Sequence, residues 1–192
     1  GQTEQNSNFI GMALVLSENG ALQELKLEKL EKAAGNCVFQ KNLVLQDLQL
    51  NQLKKLDGEL RFSDHNSMTQ LTFPNLDSLM GSLIIESNIG LMRVQLPKLN
   101  VIDESIAITN NNELRQLDLP QLNWIGQNCD ASYNALSSAS IDALLNVMAN
   151  SIDDNKFKSI QLQGQLPKAI PGVKGRQYIS NLRAANYKVE TD

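Results

Sequence analysis

The chain has 192 residues, 42% of them hydrophobic, and its 17 basic and 21 acidic side chains leave a net charge of −4. The two signs are interspersed without a Lys/Arg block, which argues against a nucleic-acid or anionic-membrane partner. No apolar run reaches the roughly 18 residues that a membrane-spanning helix needs, so no transmembrane segment is expected.

The chain starts at Gly1, read as a trimmed end from which a targeting peptide has been removed. Gln2 to Asn8 is polar and without periodicity. Residues 1–11 are therefore expected to be a disordered terminus, or a tether from a lipid anchor upstream of residue 1.

From residue 12 the chain repeats with a period of 23. Leu27, Leu50, Phe73, Leu96 and Leu119 form one column; Leu25, Leu48, Leu71, Val94 and Leu117 form another, two residues earlier. Further on come Leu14, Cys37, Leu60, Leu83, Ile106 and Cys129, then Leu16, Phe39, Phe62, Ile85, Ile108 and Ala131. A fixed period of this length predicts a solenoid, in which each coil buries its apolar edge only against its neighbours. Residues 12–192 are accordingly read as a single elongated domain.

Within one unit, Leu71 and Phe73 alternate with Gln70 and Thr72, and Leu83 and Ile85 alternate with Ser82 and Ile84. Such alternation predicts two half-buried strands per coil, stacked into two parallel sheets, a shorter one through Leu71 and a longer one through Leu83. Leu76 and Leu79 point inward through the corner between them. Pro74, Pro97 and Pro120 suit a strand exit, where no ladder donor is needed. Gly35, Gly58, Gly81 and Gly126 sit near the second corner, either for positive φ or for close packing.

A polar column, Asn19, Asn42, His65, Asn88, Asn111 and Asn134, closes each unit. An amide at a tight inward turn can satisfy backbone groups that the bend leaves unpaired. His65 is the one histidine, flanked by Ser63 and Asp64. Side chains at consecutive strand positions point apart, so the three cannot form a relay, and His65 is read as a substituted member of the column. Cys37 and Cys129 share an inward column four coils apart, roughly 19 Å at the strand spacing. That is beyond the reach of a disulfide, so two free, buried thiols are expected.

From about residue 137 the pattern changes to a cap. Ser138 to Asn150 predicts an amphipathic helix with Ile141, Leu144, Leu145 and Met148 inward and Ser138 or Ser140 as N-cap. A turn-rich link over 151–156 leads to a further rung at Ile160 and Leu162. A loop over 165–175 precedes a second helix, Arg176 to Ala185, with Asn186 as C-cap, and Tyr187 and Val189 supply a last rung. The longer sheet would then have about eight rungs and a length of roughly 35 Å.

The unit Leu-x-x-Leu-x-Leu-Pro-x-Leu-x-x-Ile-x-Gly-x-Leu-x-Ile-x-x-Asn resembles the receptor L-domain branch of the leucine-rich repeats. Leu114 to Ile125, Leu91 to Ile108 and Met68 to Asn88 carry it most closely, and the match covers residues 12–134. The helix–strand–helix–strand tail is similar to the C-terminal cap of bacterial surface leucine-rich-repeat proteins. Receptor L domains carry disulfides for which this chain lacks the cysteines, which favours the bacterial branch. The resemblance implies a β-rich, α/β-class leucine-rich-repeat solenoid, a right-handed superhelix of 23-residue coils with two parallel sheets and C-terminal helices. It also implies a bacterial cell-surface or secreted location, as for lipoproteins, and a role in adhesion or host interaction.

No catalytic, cofactor-binding or metal-binding residue emerges. A nucleophilic triad would need His65 beside a nucleophile, a zinc site would need clustered Cys and His, and no phosphate-cradling Gly loop is present. The protein is therefore read as no enzyme and without a cofactor. The outer face of the longer sheet carries a middle row of Val15, Val38, Arg61, Ile84, Ala107 and Asp130, with Glu86 beside it. Its β-branched members suit a protein contact, or simply reflect strand preference. Trp124 is either an anchor for a partner or a cover for the neighbouring cap. The expectation is a monomeric protein that binds a protein or glycoprotein on the longer sheet, with a glycan-binding or glycan-degrading solenoid and an envelope spacer as alternatives.

Overall fold

Inward aliphatic residues at alternate positions drive this chain into short strands, and successive turns stack them in parallel. The computed structural model describes residues 9–10, 14–152 and 158–192. The chain opens with β1 (Phe9–Ile10), β2 (Leu14–Ser17), β3 (Glu24–Lys26), β4 (Lys32–Ala33), β5 (Cys37–Gln40) and β6 (Asp47–Gln49). It continues through β7 (Lys55–Leu56), β8 (Leu60–Ser63), β9 (Gln70–Thr72), β10 (Ser78–Leu79), β11 (Leu83–Glu86) and β12 (Arg93–Gln95). Then follow β13 (Val101–Ile102), β14 (Ile106–Thr109), β15 (Gln116–Asp118), β16 (Trp124–Ile125) and β17 (Cys129–Asp130). The cap comprises α1 (Ser138–Asn150), β18 (Ser159–Gln161), α2 (Val173–Ala184) and β19 (Lys188–Glu190). Together they form a predominantly parallel β-solenoid of about five turns with two short helices.

The longer sheet has eight strands in the order β19-β18-β17-β14-β11-β8-β5-β2. In it Leu83 lies between Leu60 and Ile106, and Ile85 between Phe62 and Ile108. The expected cap rungs fall in register, Ile160 pairing with Cys129 on one side and Val189 on the other.

The expectation of two sheets needs correction, because a third face is also sheet. Lys32, Lys55, Ser78, Val101 and Trp124 open two-residue strands that stack with β1 into a six-stranded sheet. Two residues are too few to show an alternation, so their sequence reads as a corner. The shorter sheet is interrupted as well, forming a pair β3-β6 and a separate triple β9-β12-β15. Phe9–Ile10 pair with Lys32–Ala33, so this dipeptide belongs to the sheet and not to a tether. The remainder of residues 1–11, and most of the link expected over 151–156, lie outside the described residues.

The polar column is a hydrogen-bonded ladder through the interior. Asn111 Oδ1 accepts the Asn88 backbone N–H at 3.0 Å, and Asn111 Nδ2 donates to Ile85 C=O at 3.0 Å. Asn88 Oδ1 accepts the His65 N–H at 3.1 Å, and Asn88 Nδ2 donates to Phe62 C=O at 3.1 Å. The residue before each rung lies in the left-handed region, with φ of 60° at Glu18, 53° at Lys41, 59° at Asp64, 57° at Ser87, 58° at Asn110 and 56° at Tyr133. None of these is glycine, so each turn costs about 1–2 kcal/mol, which the ladder bonds offset. The corner glycines answer a different need. None of them has positive φ, but a Cβ at Gly81 would stand 2.5 Å from the carbonyl carbon of Gly58, so close stacking requires glycine there.

The cap differs from expectation in detail. α1 begins at Ser138, but its N-cap is Ser137, whose Oγ accepts the Ser140 N–H at 3.2 Å. α2 starts three residues before Arg176, at Val173, with Gly172 as N-cap. Gly172 has no capping side chain, and Asp142 of α1 accepts its N–H at 3.0 Å instead. Asn186 lies one residue past the Ala185 cap, where it takes the left-handed φ of 65°. No helix among the described residues is long and apolar enough to cross a membrane.

Candidate functional site: the outer face of the eight-stranded sheet

The strand period of two decides what this face presents. With Leu83, Ile85 and their column neighbours buried, the residues between them point outward. Register aligns Val15, Val38, Arg61, Ile84, Ala107 and Asp130 in one continuous row, which Gln161 of β18 and Glu190 of β19 extend. Val15, at the N-terminal end, is 59% exposed, and the others are half-buried by their neighbours.

The charges of this row are held by the protein itself. Arg61 Nε donates to Glu59 Oε1 at 2.8 Å and its Nη1 to Glu86 Oε1 at 2.5 Å. The Glu59 hydrogen bond leads in raising the Arg61 pKa, with Glu86 adding to it, so the guanidinium stays charged and fixed. Asp130 Oδ1 accepts from Ser132 Oγ at 2.6 Å and from the Ser132 N–H at 3.0 Å. Pinned side chains lose little further rotamer freedom on contact. The face is thus a rigid strip of apolar patches, Val15 with Val38 and Ile84 with Ala107, separated by an ion cluster.

The other residues singled out by sequence lie elsewhere. His65 is fully buried, its Nε2 3.4 Å from Asn42 Nδ2, and burial lowers its pKa to about 4. It is a rung of the ladder. Cys37 and Cys129 are free and buried, and desolvation raises their pKa values to about 11 and about 12. Trp124 packs into the cap, with the buried Lys158 Nζ 5.1 Å from its ring centroid. Among the described residues, no group of three or more His, Cys, Asp or Glu is arranged to hold a metal ion.

Sequence reading missed one concavity. Where α1 leans on β15, a cleft of about 460 Å³ opens, lined among others by Pro97, Leu117, Leu119, Ala143, Leu144 and Val147. The signal was present, since stepping 23 residues on from Leu117 and Leu119 lands on Ser140 and Asp142. Among the described residues no further apolar coil covers these two leucines, and both stay half-buried where Val94 and Leu96 are fully buried.

In comparisons with known proteins, no family model, no curated protein and no solved structure matches the chain.

Proposed function

We propose that this is a non-enzymatic binding protein of the leucine-rich-repeat type, built of 23-residue coils and displayed at the cell surface or secreted. It holds another macromolecule, a protein or glycoprotein, on the outer face of the eight-stranded sheet, in adhesion or host contact. The observation that carries this reading is the in-register row from Val15 to Asp130, with apolar patches on either side of Arg61 locked between Glu59 and Glu86. Apolar patches supply desolvation on contact, and a fixed charge cluster among them supplies orientation and selectivity.

The test is affinity capture from cell-surface and matrix extracts, with the native protein as bait and the double variant Val38→Asp/Ile84→Asp as control. A partner retained by the native protein and lost by the variant supports the proposal. No partner, or the same partners with both baits, counts against it.

A further inference from the structure

Three sheets reach the C-terminal end of the solenoid, and two of them are closed there. The eight-stranded sheet runs on past β17 through β18 and β19. The six-stranded sheet ends at β16, where Ser151 Oγ accepts the Ile125 N–H at 3.3 Å and Lys158 Nζ donates to Ile125 C=O at 3.1 Å. The triple β9-β12-β15 ends at β15, and no described residue takes up that edge.

Earlier turns show which bonds are missing. Leu27 N–H donates to Gln49 C=O at 2.9 Å, Phe73 N–H to Gln95 C=O at 3.0 Å, and Leu96 N–H to Asp118 C=O at 3.0 Å. The equivalent N–H of Leu119 has no acceptor among the described residues, and neither has that of Leu50, where the sheet breaks between β6 and β9. Gln116 and Asp118 turn their backbone groups toward β12, Gln116 N–H reaching Met92 C=O at 3.2 Å. The N–H and C=O of Leu117, between them, therefore point the other way.

An open strand edge is a template for another strand. This one borders the apolar cleft against α1, whose volume of about 460 Å³ falls within the roughly 300–1,000 Å³ usual for binding clefts. Among the described residues that line it, Asp118 is the one that carries a charge. Its Oδ2 accepts from the Gln95 amide at 3.1 Å and the Gln116 amide at 2.7 Å, and no described cation pairs with it. A cationic side chain complements it.

We propose that β15 and α1 form a docking site for an extended segment of a partner protein. The segment adds a fourth strand to β9-β12-β15, seats an apolar side chain in the cleft and sets a Lys or Arg beside Asp118. This site lies on a different face from the one proposed above, and it stands or falls separately.

The experiment selects a displayed library of random octapeptides on the native protein, counter-selecting on Ala143→Arg, whose exposed position lets a long side chain fill the cleft from outside the core. Enriched peptides are expected to alternate apolar residues and carry a Lys or Arg. They should bind Ala143→Arg and Asp118→Asn about tenfold more weakly than the native protein, and slow amide exchange at Leu117 and Leu119 about tenfold. Methylating alternate backbone nitrogens of the peptide should abolish binding, a readout that needs no protein variant. Three results would overturn the proposal: no enrichment over Ala143→Arg, unchanged exchange at Leu117 and Leu119, or full binding by the methylated peptide. Self-association of the native protein that disappears in Ala143→Arg would also overturn it, giving the cleft to a second copy.

Discussion

The imidazole of His65 stacks on the ring of Phe62, with centroids 3.9 Å apart and planes 13° from parallel. Both are fully buried, and the burial lowers the His65 pKa from 6.5 to about 4. The folded state therefore binds fewer protons than the unfolded state between these values. This contribution to stability is full above pH 6.5 and is lost as pH falls toward 4.

His65→Asn removes the titration and restores an amide rung. The urea midpoint of the native protein should fall more between pH 7 and pH 4.5 than that of His65→Asn. Because the carboxylates are common to both proteins, the difference isolates the histidine. Equal pH dependence in the two would contradict a buried neutral ring.

Asn111 is the rung with the fullest set of partners, serving Asn88, Ile85 and Thr109. Asn111→Ala leaves the Asn88 N–H without its acceptor in the interior, while the Ile85 C=O keeps its strand bond to β14. An orphaned group of this kind costs about 1–3 kcal/mol, so the variant should lose at least about 1 kcal/mol in denaturant unfolding. A loss below about 0.5 kcal/mol would mean that the amide column contributes little.

Cys37 and Cys129 should be silent to thiol reagents in the folded protein. They are buried, with pKa values raised to about 11 and about 12, and thiolate is the reactive form. Reaction with a chromogenic disulfide at pH 8 should proceed only at the rate of unfolding, and then yield two thiols per chain. Two thiols released within seconds from native protein would place the column on the surface.

Lys158 closes the end of the six-stranded sheet. Its Nζ donates to Ile125 C=O at 3.1 Å and to Ser151 C=O at 2.8 Å, and lies near the rings of Trp124 and Tyr187. Lys158→Ala should destabilise the protein by about 3 kcal/mol, the scale of a lost charge-assisted buried hydrogen bond. Trp124 is the only tryptophan, so its fluorescence reports on the cap directly. Its emission should shift to longer wavelength in the variant, and an unchanged spectrum and midpoint would contradict this role.

What was legible in the sequence was whatever the repeat states many times over. The inward columns and the Asn rungs recur every 23 residues, and the cap rung at Ile160 and Leu162 shows the same alternation 31 residues after Cys129 and Ala131, the added length being that of a helix in place of a strand. Features set by single contacts were not. The two-residue strands such as Ser78–Leu79 are too short for a period. The left-handed column is occupied by residues as unlike as Glu18, Lys41 and Tyr133, because backbone demand and not side-chain type fixes it. The start of α2 depends on Asp142, thirty residues away from Gly172 in the chain. The cleft on β15 depends on how α1 docks, which is a tertiary outcome.

The outer face of the eight-stranded sheet is proposed to hold a macromolecular partner. The decisive measurement is the affinity of the captured partner for three proteins: native, Val38→Asp/Ile84→Asp, and Gln70→Asp on the shorter sheet as a control. Binding should weaken by about tenfold or more in the double variant, about 1.4 kcal/mol, and stay at the native value in Gln70→Asp. Native affinity in the double variant, or an equal loss in both variants, would contradict the assignment of the partner to that face.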